Sequence, residues 1–312
     1  MFRCCILKKK KKISSKISKK PSREFTKTIK KEIKTLRKSE FNEKNYEPIF
    51  LGGGASGSTF KLKIDDMYLT CKKIKKDKDK RLKKTVKNEI KILKLLSYET
   101  HFPIYYNCFE SKNDYYLLYK YIDGLDLFNM IQNPIFPINT KEAISTIIYE
   151  TVLGLEYLFS FNLIHLDIKL ENILIIKTKP IRIKIIDLAF CKKINLLDNK
   201  LNTCLGTVGY CSPEIMLHRR YSYKSDIWSL GVVLYDLSTG YDLFGCPTKK
   251  NYKKYLMKFK GIKNMYKNEE YLEGIDEDCL DLIDNMLIKD PMTRYSYENI
   301  KNHKFIINNK YE

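Results

Sequence analysis

His165-Leu166-Asp167-Ile168-Lys169-Leu170-Glu171-Asn172-Ile173-Leu174 sets a carboxylate, an ammonium and an amide at positions i, i+2 and i+5 of one short segment. A helical apolar pattern over about 140–161 precedes it and an apolar strand pattern follows, so the segment reads as a loop between a helix and a strand. Phosphoryl transfer to a hydroxyl needs those three functions together. They are a proton acceptor that orients the hydroxyl, a cation against the developing charge, and an oxygen ligand for a metal. Downstream, the apolar run 181–186 ends on Asp187, in Asp187-Leu188-Ala189. Asp187 offers a second hard oxygen suited to Mg2+, which takes one or two protein oxygens and completes its shell with phosphates and water.

Upstream, strand-like runs dominate: 46–51, 60–64, 67–74, 104–109 and 115–121, interrupted by one helical run at about 80–96. Downstream come helical stretches at about 140–161, 225–238, 250–259 and 276–288. A strand-rich part followed by a helix-rich part predicts an α+β chain with two lobes, and a cleft between lobes is where small ligands usually bind. In the strand-rich part, Gly52-Gly53-Gly54-Ala55-Ser56-Gly57 fits G-x-G-x-x-G. Glycine lets backbone approach phosphates closely, although the pattern alone is equally a tight surface turn. Strands flank it on both sides, which disfavours the dinucleotide-binding unit, where a helix must follow. Along 67–74 side chains alternate, so of Lys72 and Lys73 one faces inward. Glu89 lies beside the apolar face of the 80–96 helix and needs a cationic partner; Lys72 can supply it and also reach a phosphate.

Taken together, Gly52–Gly57, Lys72, Glu89, His165–Asn172, Asp187, 206–214, Asp226 and Arg294 stand in the order and approximate spacing of the eukaryotic protein kinases, and the chain resembles that family over about 45–306. The resemblance implies a two-lobed fold, with a small β-rich N-lobe (45–121) carrying one main helix and a larger helical C-lobe (122–306). It follows a tail at 1–44 and precedes a short end at 307–312. It implies an ATP-dependent protein kinase using ATP and Mg2+. Asp167 would be the catalytic base and Lys169 would contact the γ-phosphate. Lys72, positioned by Glu89, would hold the α- and β-phosphates, and Asn172 and Asp187 would hold Mg2+. Leu51, Gly52, Gly53, Gly54, Ala55, Ser56, Gly57, Thr59, Thr70, Tyr119, Tyr121, Ile122, Asp126 and Leu174 would surround the nucleotide, with Tyr119 as gatekeeper and 120–122 as the hinge. Glu214 would pair with Arg294 as a buried ion pair, and Asp226 would hold the catalytic loop from behind.

Lys169 and Thr207 match the serine/threonine branch, Thr207 being placed to bond near Asp167 and Lys169. Asp126, Glu171 and Asp236 fall where basic-directed members keep acidic residues, so a preference for basic protein substrates is expected; the plain alternative is three solvated surface carboxylates. The departures are Leu166 for the family's Arg, Leu188-Ala189 for Phe-Gly, and Thr59 and Thr70 for Val and Ala. Without that Arg, a phosphate on Thr203 loses its main partner, so activity should depend weakly on Thr203. The competing reading is a pseudokinase scaffold that binds partners or nucleotide without transfer; the retained Lys72, Asp167, Asn172 and Asp187 count against it.

The charge is lopsided. The 312 residues carry a formal charge of +21, of which +13 falls on residues 1–40, with Lys8–Lys12 at its densest. Phe25, Ile29, Ile33 and Leu36 recur at helical spacing within 22–38. The tail reads as a solvated extension with a packed helix. Alternatively it attaches to an anionic membrane surface, with Cys4 and Cys5 open to acylation and the lysines as the second signal. No aromatic residue is interleaved with the lysines, so no specific nucleic-acid partner is expected. No run of apolar residues is long enough to span a bilayer, and the nine cysteines include no C-x-x-C pair. An intracellular setting is expected, cytoplasmic in the first instance, with nuclear or membrane-peripheral sites as alternatives.

Overall fold

The computed structural model describes residues 43–54, 57–64, 67–76, 80–96, 99–132, 140–178, 180–194, 199–201, 204–245, 247–262 and 274–310. The basic tail, its helix at 22–38, Cys4, Cys5, Ala55, Ser56 and Thr203 lie outside these residues. The chain divides into two compact units: residues up to Leu82 with Ile104–Tyr121, and Lys83–Pro103 with Ile122–Glu312.

The first unit is a five-stranded antiparallel sheet of order β1-β2-β3-β5-β4. Its strands are β1 (Ile49–Gly54), β2 (Gly57–Ile64), β3 (Met67–Lys75), β4 (Tyr105–Glu110) and β5 (Asp114–Lys120). Alternation along β2, β3 and β5 gathers Leu62, Leu69, Cys71, Tyr116 and Leu118 with Phe109 into one apolar cluster. Each large side chain so buried contributes roughly 1.5–3 kcal/mol. A 3-10 turn at Glu43–Tyr46 covers this face: Tyr46 packs on the cluster and Lys73 donates to the buried Glu43 carboxylate. The first strand therefore begins at Ile49 and not at Tyr46. Glu47 takes a positive φ of 47° and Pro48 has no amide to give a ladder, so pairing can start only beyond them.

Helix α1 (Lys80–Leu96) begins in the first unit and passes into the second at Lys83. The second unit adds β6 (Leu125–Asp126), α2 (Leu127–Ile131), α3 (Lys141–Ser160), β7 (Leu163–Ile164), a 3-10 turn at Leu170–Asn172, β8 (Ile173–Thr178), β9 (Ile181–Ile185) and β10 (Lys192–Lys193). Then follow α4 (Pro213–His218), α5 (Tyr223–Thr239), α6 (Lys249–Lys258), α7 (Glu277–Met286), α8 (Tyr297–Lys301) and α9 (Lys304–Asn309). Thr140 caps α3 by accepting from the Ala143 amide, and Ser222 and Ser225 form a reciprocal capping box on α5. Helix α5 is buried almost all round, as an apolar helix in the middle of a helical layer must be. On α3, a Cβ at Gly154 would stand 2.7 Å from Ile185 Cδ1, so the missing side chain is what lets α3 lie close on β9. An antiparallel five-stranded sheet with a helix, followed by a helical region, is the α+β order that the strand and helix patterns predict. Among the described residues no helix is long and apolar enough to cross a membrane.

Candidate active site

The loop opening at His165 is shaped from behind by a single carboxylate. Asp226, in the first turn of α5, accepts from the His165 amide through Oδ2 (2.8 Å) and from the Leu166 amide through Oδ1 (2.7 Å). Burial pushes this carboxyl up to about 6, while His165 and the two amides pull it down. Held this way, Leu166 adopts φ 67°, a left-handed conformation that costs a bulky residue of order 1–3 kcal/mol. Its side chain is buried.

Asp167 follows, 5% exposed, and both its carboxylate oxygens are engaged. Oδ1 accepts from the Thr207 amide (2.9 Å) and hydroxyl (2.7 Å), and Oδ2 accepts from Asn172 Nδ2 (3.2 Å), which also donates to the Asp167 carbonyl (2.8 Å). With its nitrogen turned to Asp167, Asn172 has its amide oxygen left for a cation. The Ile186 amide donates to the Asn172 carbonyl (2.9 Å), and His165 Nε2 meets the Ile186 carbonyl (3.1 Å). These bonds bring Asp187 beside Asn172; Asp187 has φ 59° and accepts from the Ala189 amide at 3.3 Å. Among the described residues no three His, Cys, Asp or Glu side chains could enclose a metal by themselves. The donor set, one amide oxygen and one carboxylate, fits Mg2+ that takes its other ligands from phosphate and water. Lys169 stands 3.6 Å from Glu171.

Elsewhere in the second unit, Asp126 pairs in register with Leu174 across β6 and β8, and its carboxylate caps α2 through the Asn129 amide (2.8 Å) and Asn129 Nδ2 (2.6 Å). Ile122 is half-buried just ahead of β6. Glu89 is 1% exposed on α1. Next to it, Asn88 Nδ2 donates to the Cys191 carbonyl (3.3 Å), tying α1 to the segment that follows Asp187.

In the first unit the glycine stretch forms the β1–β2 hairpin, with Gly52, Gly53 and Gly54 opposite Thr59, Ser58 and Gly57. Gly57 has φ 130°, and a Cβ there would fall 2.4 Å from the Lys73 carbonyl, so no other residue fits. Leu51 is exposed on β1. Thr59 lies opposite Lys72 and Thr70 opposite Tyr119, so these four share one face of the sheet. Lys72 is 6% exposed there, while Lys73 turns to the other face and Glu43. The Tyr121 amide bonds the Tyr68 carbonyl (3.3 Å).

Two further pairings complete the second unit. Arg294 grips Glu214 with two bonds of 2.9 Å, Ser225 adds a third at 2.7 Å, and the guanidinium stacks over Trp228. Asp236 departs from expectation. It is neither solvated nor presented to a partner: it is 2% exposed and accepts from the Tyr210 hydroxyl (2.9 Å) and the Leu243 amide (3.0 Å). It follows Tyr235 on a helix buried on every side, and that unbroken apolar context was the available signal for its burial. Glu171 is exposed and Asp126 is half-buried.

The family described as protein kinase domain matches residues 47–306. Myosin light chain kinase 2, skeletal/cardiac muscle, of Rattus norvegicus is 29% identical over 273 residues, covering 86% of this chain and 43% of the relative. The Mus musculus protein of the same name is 30% identical with the same coverage. A probable serine/threonine-protein kinase HSL1 of Saccharomyces cerevisiae is 34% identical over 222 residues, 71% of this chain and 14% of the relative. The chain thus spans less than half the length of these curated relatives.

Proposed function

The chain belongs to the protein kinase family, and we propose that it transfers the γ-phosphoryl group of ATP to serine or threonine hydroxyls of protein substrates. The observation that carries this reading is the double orientation of Asp167, one oxygen fixed by Thr207 and the other by Asn172. A carboxylate held in this way aligns an incoming hydroxyl and accepts its proton as the oxygen attacks phosphorus. Lys169 neutralises charge on the transferring group, Lys72 holds the α- and β-phosphates, and Glu89 positions Lys72. The Gly52–Gly57 hairpin covers the phosphates. Thr59, Thr70, Leu51 and Leu174 line the adenine, with Tyr119 at the back and Tyr121 and Ile122 at the hinge. Asn172 and Asp187 would hold Mg2+, which when bound screens the phosphate charge.

Serine and threonine are favoured over tyrosine by Lys169 and Thr207, and one relative carries serine/threonine in its name. Substrate preference is for basic sequences, carried by Glu171 and Asp126. A peptide library in which acidic or proline-directed sequences win would refute that preference. Deleting residues 1–40 should leave transfer intact; loss of vesicle binding on the same deletion would assign the basic tail to anionic membrane surfaces, and unchanged behaviour would leave it a solvated extension. The decisive test of the activity is transfer of radiolabelled phosphate from ATP to a generic basic protein, with Asp187→Asn as control. Labelling by the parent chain and none by the variant is expected; no labelling by either would leave a scaffold without transfer.

A further inference from the structure

Three sulfur atoms meet in the segment that carries Thr207. Cys204 Sγ lies 3.6 Å from Met216 Sδ at the start of the segment, and Cys211 lies at its end, immediately before α4. The Cys211 thiol hydrogen-bonds to the Cys204 sulfur, and Cys211 Sγ also meets the Leu205 carbonyl at 3.4 Å. The backbone between them doubles back, with the Tyr210 and Cys211 amides both donating to the Thr207 carbonyl (3.1 and 3.0 Å). Cys204 is half-buried and Cys211 is 3% exposed, so a small oxidant reaches the first and the second waits behind it.

We propose that Cys204 and Cys211 are an oxidisable dithiol that a peroxide converts into an internal disulfide, clamping the segment that orients Asp167. The chemistry of the two sulfurs is asymmetric in the required sense. The bond from Cys211, with Lys249, Lys253 and Arg219 nearby, lowers the Cys204 thiol below its ordinary value against its burial, which favours the thiolate there. The same bond, followed by burial, pushes Cys211 up and keeps its proton. Burial pushes Cys71, Cys191 and Cys279 up as well, which leaves them unreactive.

The Cys204 thiolate attacks one peroxide oxygen, the O–O bond breaks, and hydroxide leaves to take a proton from water, giving a sulfenic acid. The Cys211 sulfur then attacks the Cys204 sulfur. The S–O bond breaks, and the hydroxyl leaves with the Cys211 proton as water. In sum two thiols give two electrons to one peroxide, forming one disulfide and two waters. Drawing the sulfurs from contact to a covalent bond of about 2 Å shifts the ends of the segment and with them Thr207. That loss of transfer rests on the kinase reading; the disulfide does not.

The full chain, treated with hydrogen peroxide, alkylated and digested with trypsin, releases residues 201–219 as one peptide, because no Lys or Arg lies between the two cysteines. The expected product is that peptide without alkylation and lighter by the two thiol hydrogens, with both sites alkylated once dithiothreitol is added. In Cys211→Ser, dimedone should trap the Cys204 sulfenic acid, since no second sulfur resolves it. Double alkylation after peroxide, or Cys204 over-oxidised in the parent chain without a link, would overturn the proposal. Transfer to a basic protein should fall at least about fivefold on oxidation and recover with dithiothreitol. A disulfide that leaves the rate unchanged would overturn its regulatory half. Disulfide without any transfer by the reduced chain would overturn the kinase reading alone.

Discussion

Thr207 gives both its amide and its hydroxyl to one oxygen of Asp167, at 2.9 and 2.7 Å, across 40 residues of sequence. This pair of bonds fixes the carboxylate plane from a segment remote in sequence. The hydroxyl bond to a charged acceptor is worth about 1.5–3 kcal/mol. Thr207→Val, which keeps the shape and loses the hydroxyl, should slow phosphoryl transfer by roughly ten- to a hundredfold. Thr207→Ser should restore most of the rate, as single-turnover transfer from labelled ATP would measure.

Gly206, one residue earlier, has φ 90°, and a Cβ there would stand 2.5 Å from the Leu166 carbonyl. Gly206→Ala therefore meets both an unfavourable backbone region and a backbone clash. It should cost about 1–2 kcal/mol of stability and separate Thr207 from Asp167. Urea denaturation should show the first effect and a fall in kcat the second.

Arg294 and Glu214 form a buried ion pair whose remaining partners are also satisfied. Arg294→Ala strands a buried carboxylate and should destabilise the fold by roughly 3–5 kcal/mol, whereas replacing both members by apolar residues should cost far less. Burial raises the Glu214 pKa, but Arg294 and Ser225 outweigh it and hold it below the ordinary 4.5. Its stabilisation is present above pH about 4.5 and is lost as pH falls through the depressed value. Acid denaturation midpoints of the parent and the double variant would measure it.

Asp236 behaves in the opposite sense. Burial pushes its carboxyl up to about 7, against the Leu243 amide and the Tyr210 hydroxyl. From its ordinary value of 3.8 up to about 7 the folded chain holds a proton that the unfolded chain has released. Stability thus declines as pH rises through that window; Asp226 adds to the slope up to about 6. Asp236→Asn should raise the urea midpoint at about pH 8 and flatten its dependence between about pH 4 and 7. An unchanged slope would contradict the assignment.

Much of this architecture was legible beforehand because it is written in periodicity and spacing. Lys80–Leu96 forms the helix that its apolar spacing predicts, and strand alternation separates Lys72 from Lys73. The left-handed backbone of Leu166 was not legible, since a bulky residue disfavours that conformation and it is held by Asp226, 60 residues on. The burial of Asp236 was signalled only by the apolar run around it on α5, since its bonds come from Tyr210 and Leu243 in other segments. Helices α4, α8 and α9, of five or six residues each, are too short to show a period. Tyr46 looked like a strand residue but closes a turn, because a cluster of side chains beneath it outweighs its local preference.

The carboxylate of Asp226 that braces His165 and Leu166 is made by the ribosome 60 residues after the loop it supports. A nascent chain that has emerged only as far as Arg220 already contains Asp167, Lys169, Asn172, Asp187 and Thr207, yet it lacks the anchor that sets their backbone. Premature termination or proteolytic trimming ahead of α5 would therefore yield fragments with every reactive group and no working geometry.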